Sequence, residues 1–255
     1  EKQDPAGALS EPKAPITYWI DRNVPEKYRK AVADGILEWN KAFEKIGFKN
    51  AVVVKQQGDD DDFDTMDARH ASVRWFTGAD IGFAIGPSRA DPRSGELLDA
   101  DIGMSDVFAR GARRTVVEDL GKPLAFDTAR AGAMANLRDL HTTAACHYAA
   151  EKAHEMDFAA DLLELRGLDM AGPEAEKLAQ DYVKDVVMHE VGHTLGLRHN
   201  FRSSTIYTLK QLQDTAFTKV HGLTGSVMDY NPFNISLKGE TQGEYVMSTL
   251  GPYDY

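Results

Sequence analysis

The chain has 255 residues, 42% of them apolar, and a formal net charge of −11. That length and composition suit one α/β domain with a sizeable core and insertions, and the acidic balance argues against nucleic acid or an anionic membrane surface as a partner. No apolar run reaches the roughly 18 residues of a transmembrane helix, and the lone cysteine excludes an internal disulfide.

The chain opens at Glu1 without an initiator methionine, signal segment or cleavage motif, and so reads as a processed or excised fragment. Ile16 to Ile20 is the first predicted strand. Pro25 suits the first position of a helix. Tyr28, Val32, Ile36, Trp39, Phe43 and Ile46 then recur at three- and four-residue spacing until Gly47 closes it. Ala51 to Val54 reads as a buried strand and Ser72 to Phe76 as another. Between them, Gly58 to Asp64 clusters carboxylates as a structural calcium site would. It lacks the spacing and closing glutamate of an EF-hand, so a solvated acidic loop is the better reading. Asp91 to Gly95 is a turn, followed by a strand over Glu96 to Met104.

Residues 106–172 read as a helical insertion. They hold a basic surface stretch, Arg110 to Arg114, an alanine-rich helical stretch over 127–154, and a short helix from Phe158 to Leu165 that ends at Gly167. The insertion either rims a cleft or only elaborates the packing. His141, His147 and His154 are six and seven residues apart, which does not place three imidazoles on adjacent turns as ligands. Cys146 reads as a small buried hydrophobe rather than a nucleophile.

The next helix carries the chemistry. Pro173 suits its first position, and Glu174 and Glu176 lie at the positive end of its dipole. Val183, Val187, Val191 and Leu195 repeat at i+4 on the side opposite His189 and His193, so one face packs on a core while the other looks into a cleft. The string His189-Glu190-Val191-Gly192-His193-Thr194-Leu195-Gly196-Leu197-Arg198-His199 has the pattern HExxHxxGxxH. Its five fixed positions recur by chance in fewer than about one chain in ten thousand of this length. His189 and His193 sit one turn apart on one face and can grip a single ion. On an unbroken helix His199 would be about 15 Å further along the axis and roughly 80° off that face. The helix must therefore end before it, and Gly196 supplies the left-handed residue that lets the chain double back. Three neutral imidazoles leave the fourth tetrahedral position of Zn²⁺ open to water, as a catalytic site requires. Glu190 is offset enough to reach that water rather than the metal, as its general base.

Ser226-Val227-Met228-Asp229-Tyr230 follows, with Met228 placed 29 residues after His199. The zinc motif and this segment together resemble the metzincin clan of zinc metallopeptidases, which pair HExxHxxGxxH with a methionine turn beneath the metal. The resemblance makes Met228 the Met-turn methionine. It puts Tyr230 where some members carry a tyrosine that approaches the zinc or stabilises the tetrahedral intermediate. His199-Asn200-Phe201, with Ser226 to Asn231 and the closing Gly251-Pro252-Tyr253-Asp254-Tyr255, is most similar to a bacterial family of large secreted or envelope-associated zinc-dependent metalloproteases. The match is strong over 173–230 and weaker from about residue 14 to the end.

The resemblance implies an α/β (α+β) catalytic domain, with a twisted mixed sheet bearing an antiparallel edge strand, a long active-site helix, a Met-turn and the helical insertion. Its parts would be an N-terminal sheet and helix over 14–105, the insertion over 106–172, the zinc-binding helix and turn over 173–200, and a C-terminal subdomain over 201–255. It implies one catalytic Zn²⁺, a peptide or protein substrate bound extended along an edge strand, assigned here to about 97–104, and an extracytoplasmic location. Latency through a thiol would need a cysteine on a propeptide, and Cys146 lies inside the domain. The expected activity is endopeptidase action by promoted water. The alternatives are a zinc-binding pseudoprotease that grips peptide or a partner, and an amidase or carboxypeptidase on small substrates.

Overall fold

The structure is a computed structural model and describes residues 1–77, 84–86, 88–105, 146 and 148–255. Strand alternation builds its first layer. β1 (Ile16–Ile20) turns Tyr18 and Ile20 inward and leaves Ile16 exposed. β2 (Val52–Gln56) pairs parallel to it on one side and β3 (Ser72–Phe76) on the other. Two short strands, β4 (Ala84–Ile85) and β5 (Ser88–Ala90), precede β6 (Leu97–Ser105), and both pair antiparallel to β6. β6 itself runs parallel to β3, from Ser72 opposite Asp101 to Phe76 opposite Ser105. The result is a mixed sheet of order β2-β1-β3-β6-β4, with β5 also on β6.

This order corrects the predicted substrate edge. The strand at 97–104 is not at the rim: β4 and β5 cover its outer side, and the antiparallel edge is formed by Ala84–Ile85 and Ser88–Ala90. Two- and three-residue strands carry too little alternation to be read from sequence. The turn at Asp91 to Gly95 has the predicted form, with Gly95 N donating to Asp91 O (2.7 Å) and φ 73° at Gly95.

The helix predicted from Pro25 to Gly47 is two. α1 (Glu26–Leu37) starts just after Pro25, and α2 (Asn40–Lys45) ends before Gly47, which has φ 87°. The break at Glu38 and Trp39 is set by tertiary bonds. The Trp39 indole donates to Met188 O (3.0 Å), and the Glu38 carboxylate accepts from Lys184 (3.1 Å) and Thr249 (2.7 Å). Ile46, included in the predicted apolar stripe, is 63% exposed.

α3 (Tyr148–Leu165) is longer than the predicted helix from Phe158, because it takes in the end of the alanine-rich stretch, including His154. Arg110 to Arg114, residues 127–145, His141 and His147 lie outside the described residues. α4 (Pro173–Thr194) begins where predicted. Its Val183, Val186, Val187 and Val191 are fully buried and join Tyr28, Val32 and Ile36 of α1 and Val73, Ile102 and Met104 of the sheet in one core. Leu195, last in the predicted stripe, is only half-buried. Beyond α4 come a 3-10 turn (Phe201–Thr205), α5 (Leu209–Leu212) and α6 (Thr215–His221). The irregular segment that follows carries Met228, Met247 and Leu250 back into the core.

The acidic loop is tied down through its backbone. Arg22 donates to Asp59 O (3.0 Å) and Asp61 O (2.8 Å), while the carboxylates of Asp59, Asp60, Asp62 and Asp64 are exposed. Among the described residues, no helix is long and apolar enough to cross a membrane.

Candidate metal centre

The last turn of α4 positions the predicted residues. Gly196 N donates to His193 O and Leu197 N to Gly192 O, each at 2.9 Å, with φ 91° at Gly196. These are the two bonds of a Schellman closure, so the predicted stop falls at the predicted glycine for the predicted reason. Thr194 Oγ1 donates to Val191 O (2.8 Å) and accepts from the Tyr18 hydroxyl (2.8 Å), which fastens the helix end to β1. The returning chain is then pinned by Asn200 N donating to Met228 O (2.9 Å), and His199 comes back over the helix.

Each helix-borne imidazole is oriented by a carbonyl. His189 Nδ1 donates to Val227 O (2.7 Å) and His193 Nδ1 to Leu197 O (3.0 Å), so both rings turn an unprotonated Nε2 towards one point. His193 Nε2 lies 3.0 Å from His199 Nε2. Burial, with the neighbouring imidazoles, holds His189 well below the usual histidine range, and burial lowers His193 too. Both shifts favour the neutral imidazole, the form in which histidine binds a metal. Tyr148 stacks on His189 at 4.2 Å between ring centres and presses it into place.

Glu190 is fully buried, and neither of its carboxylate oxygens has a hydrogen-bond partner. Burial pushes its carboxyl up to about 8. The Cys146 thiol and the Gly86 N–H pull the other way without closing a bond of normal geometry. A buried carboxylate left this way costs free energy unless a proton or a cation answers it. The backbone just after β4 lies directly against it: a Cβ added at Gly86 would meet Glu190 O at 2.5 Å and Oε2 at 3.1 Å.

The turn at Ser226 to Tyr230 lies against the helix. Met228 packs on Gly192, where a Cβ would come within 2.3 Å of the Met228 sulfur. Asp254 holds the turn in shape, accepting from Ser226 Oγ (2.5 Å), Val227 N (2.9 Å) and Gly251 N (2.8 Å). Tyr230 stands at the rim, its ring 4.7 Å from that of His199.

One further residue reaches the cluster. Cys146 is half-buried against the core, as a small hydrophobe would be, but its Sγ is also 3.3 Å from His189 Nε2 and 3.4 Å from the Tyr230 hydroxyl. The ligand atoms of Cys146, His189, His193 and His199 all lie within 4.8 Å of one another. Burial, then the charge of Glu190, pushes the thiol up to about 12. Nothing in the sequence marks Cys146, which is 43 residues from the motif. Gly192, by contrast, was in plain view inside the motif, and its role as the seat of Met228 depends on a contact across 36 residues of sequence.

A second buried group supports the first. Lys152 of α3 donates to Asn231 O (2.5 Å) and lies 3.4 Å from Asp185 Oδ2 of α4, which accepts from the Tyr148 hydroxyl (2.9 Å). Burial pushes Asp185 up and Lys152 down, and their mutual attraction opposes both shifts.

These residues fit a zinc ion. Tetrahedral bonds of about 2.0–2.1 Å to nitrogen and 2.3 Å to sulfur put nitrogens about 3.3 Å apart and sulfur about 3.6 Å from nitrogen. The two short separations, 3.0 and 3.3 Å, lie near those values. At 3.0 Å the Nε2 atoms of His193 and His199 share either a proton or a cation.

A family model described as Met-zincin matches residues 171–255, which covers α4, the Met-turn and the closing segment. It supports a metzincin-type family, and with it a zinc metallopeptidase. No curated protein and no solved structure matches the chain.

Proposed function

We propose that this chain is a zinc-dependent endopeptidase, with His189, His193 and His199 as zinc ligands and Glu190 as general base. The observation that carries this reading is the pair of unpartnered Glu190 oxygens, fully buried beside three imidazoles whose Nε2 atoms converge. When bound, zinc would supply a water of lowered pKa and polarise the scissile carbonyl. Glu190 accepts the proton of the attacking water and delivers it to the leaving amine. A carboxyl raised by burial suits both halves of that task. The Tyr230 hydroxyl, at the rim of the cluster, donates to the substrate oxyanion as the tetrahedral centre forms. Met228 and Gly192 keep the ligands in register from below.

The substrate would be a peptide or protein segment lying extended along the antiparallel edge formed by β4 and β5. Ser88, Arg89 and Ala90 are exposed there, and Gly86 brings the backbone against Glu190. The absence of a side chain at Gly86 is what lets the backbone pass that close. An extracytoplasmic site of action follows from the bacterial family resemblance.

The test is cleavage profiling of the zinc-loaded protein on a proteome-derived peptide library. It is run on the native chain and on Cys146→Ala, so that the thiol cannot mask activity. Cleavage within peptides, lost in Glu190→Ala while zinc stays bound, is the expected result. If both proteins hold zinc and neither cuts any peptide, the endopeptidase reading falls and a peptide-gripping module replaces it.

A further inference from the structure

Cys146 is the one member of the cluster for which three-histidine chemistry has no use. A catalytic zinc site keeps a coordination position open, whereas four protein ligands make a closed one. The sulfur is not off to the side. It is 3.3 Å from His189 Nε2, within 4.8 Å of the ligand nitrogens of His193 and His199, and 3.4 Å from the Tyr230 hydroxyl. The unpartnered Glu190 carboxylate, fully buried, is the other neighbour. The thiol therefore fills the space between the imidazoles, the base and the tyrosine, where water and a scissile carbonyl would have to stand.

We infer that Cys146 is the fourth protein ligand of the zinc ion, and that the arrangement in this structure is the latent form of the enzyme. The inference rests on the zinc reading above, but it makes a separate claim about one atom. On metal binding the thiol S–H bond breaks, its proton leaves to solvent and a Zn–S bond forms, with no change of oxidation state. Activity requires the sulfur to withdraw and a water to take its place. No propeptide is needed, because the blocking ligand precedes α3 within the same chain. On this inference a thiol inside the domain, rather than one on a propeptide, takes part in latency.

Cobalt substitution reads the ligand without reading activity. In the native chain, Co²⁺ should show an intense near-ultraviolet thiolate charge-transfer band. Cys146→Ala should lose that band while keeping the weaker visible bands of a histidine site. In competition with a chromophoric chelator, Cys146→Ala should hold zinc on the order of tenfold less tightly. Bound zinc should also slow maleimide labelling of Cys146 on the order of tenfold. Peptide hydrolysis should rise by a similar factor in Cys146→Ala, or after iodoacetamide has alkylated the metal-free native protein before zinc is restored.

Cys146→Ser, which keeps the volume and loses the soft ligand, stands in if the alanine variant misfolds. Native and variant cobalt spectra that agree in the near ultraviolet, with labelling indifferent to zinc, would overturn Cys146 as a ligand and leave the three-histidine site intact. Failure of both proteins to bind Co²⁺ or Zn²⁺ would overturn the zinc reading itself. A native protein already as active as Cys146→Ala would overturn latency.

Discussion

Replacing Lys152 by methionine tests whether the insertion helix is a structural part of the metal centre. The side chains of Lys152 and Asp185 are 1% and 0% exposed, and their charged atoms lie 3.4 Å apart. Methionine fills much the same volume but removes the cation, stranding the Asp185 carboxylate and the Asn231 carbonyl. Breaking a buried pair from one side costs about 3–5 kcal/mol, whereas replacing both partners with neutral groups of similar shape is close to neutral. At about 2–4 °C per kcal/mol for a chain of this size, Lys152→Met should lower the melting temperature by roughly 6–20 °C. Lys152→Met/Asp185→Asn should recover most of that, since the asparagine oxygen still accepts from Tyr148. Urea unfolding of the four proteins of this cycle, all stripped of metal so that ligand linkage is constant, gives the coupling energy. Because Tyr148 stacks on His189, the single variant should also bind zinc on the order of tenfold less tightly. A single variant within about 1 kcal/mol of native, or single effects that simply add, would refute a charged, mutually dependent pair.

Three further outcomes follow from the centre. Gly192→Ala puts a methyl into the Met228 sulfur, so it should lose about 1–3 kcal/mol by overpacking and weaken zinc binding; unchanged unfolding and zinc titrations would mean Met228 does not bear on the helix. Asp254→Ala leaves Ser226 Oγ, Val227 N and Gly251 N without their shared acceptor and should lose roughly 2–4 kcal/mol in urea unfolding. In the metal-free protein Glu190 keeps its proton up to a pH of about 8, while the unfolded chain releases it near 4.5. The folded state thus binds more protons between those values, and stability falls as pH rises across that window, by a few kcal/mol at most. Glu190→Gln should flatten that slope and be the more stable protein at pH 8; equal slopes for the two would place the carboxylate in contact with solvent.

What the sequence disclosed divides along a physical line. Features written in local spacing were legible: the start of α4 at Pro173, its stop at Gly196, the apolar stripe behind the histidines, and strands at Ile16–Ile20 and Ser72–Phe76. Each depends on contacts within a few residues or on a periodicity that burial imposes. Features that need a distant partner were not legible. The break at Glu38 and Trp39 is made by Met188, Lys184 and Thr249, and the rim of the sheet is made by strands too short to alternate. No local pattern marks Lys152, whose partner Asp185 lies on another helix.

Cys146 belongs to the second group and shows why the distinction matters for function. Sequence spacing yields three ligands and an open position, because those three are bound to one helix and its return. Whether that position is in fact open depends on a side chain 43 residues away, carried to the cluster at the start of α3. α3 in turn is anchored to α4 and the Met-turn by Tyr148 and Lys152, the same groups that steady His189 and hold Asn231. Orienting His189 and placing the thiol are thus two results of one packing contact. A change that loosens Lys152 should weaken zinc and release Cys146 together, which separates this arrangement from one in which the cysteine merely drifts near the site.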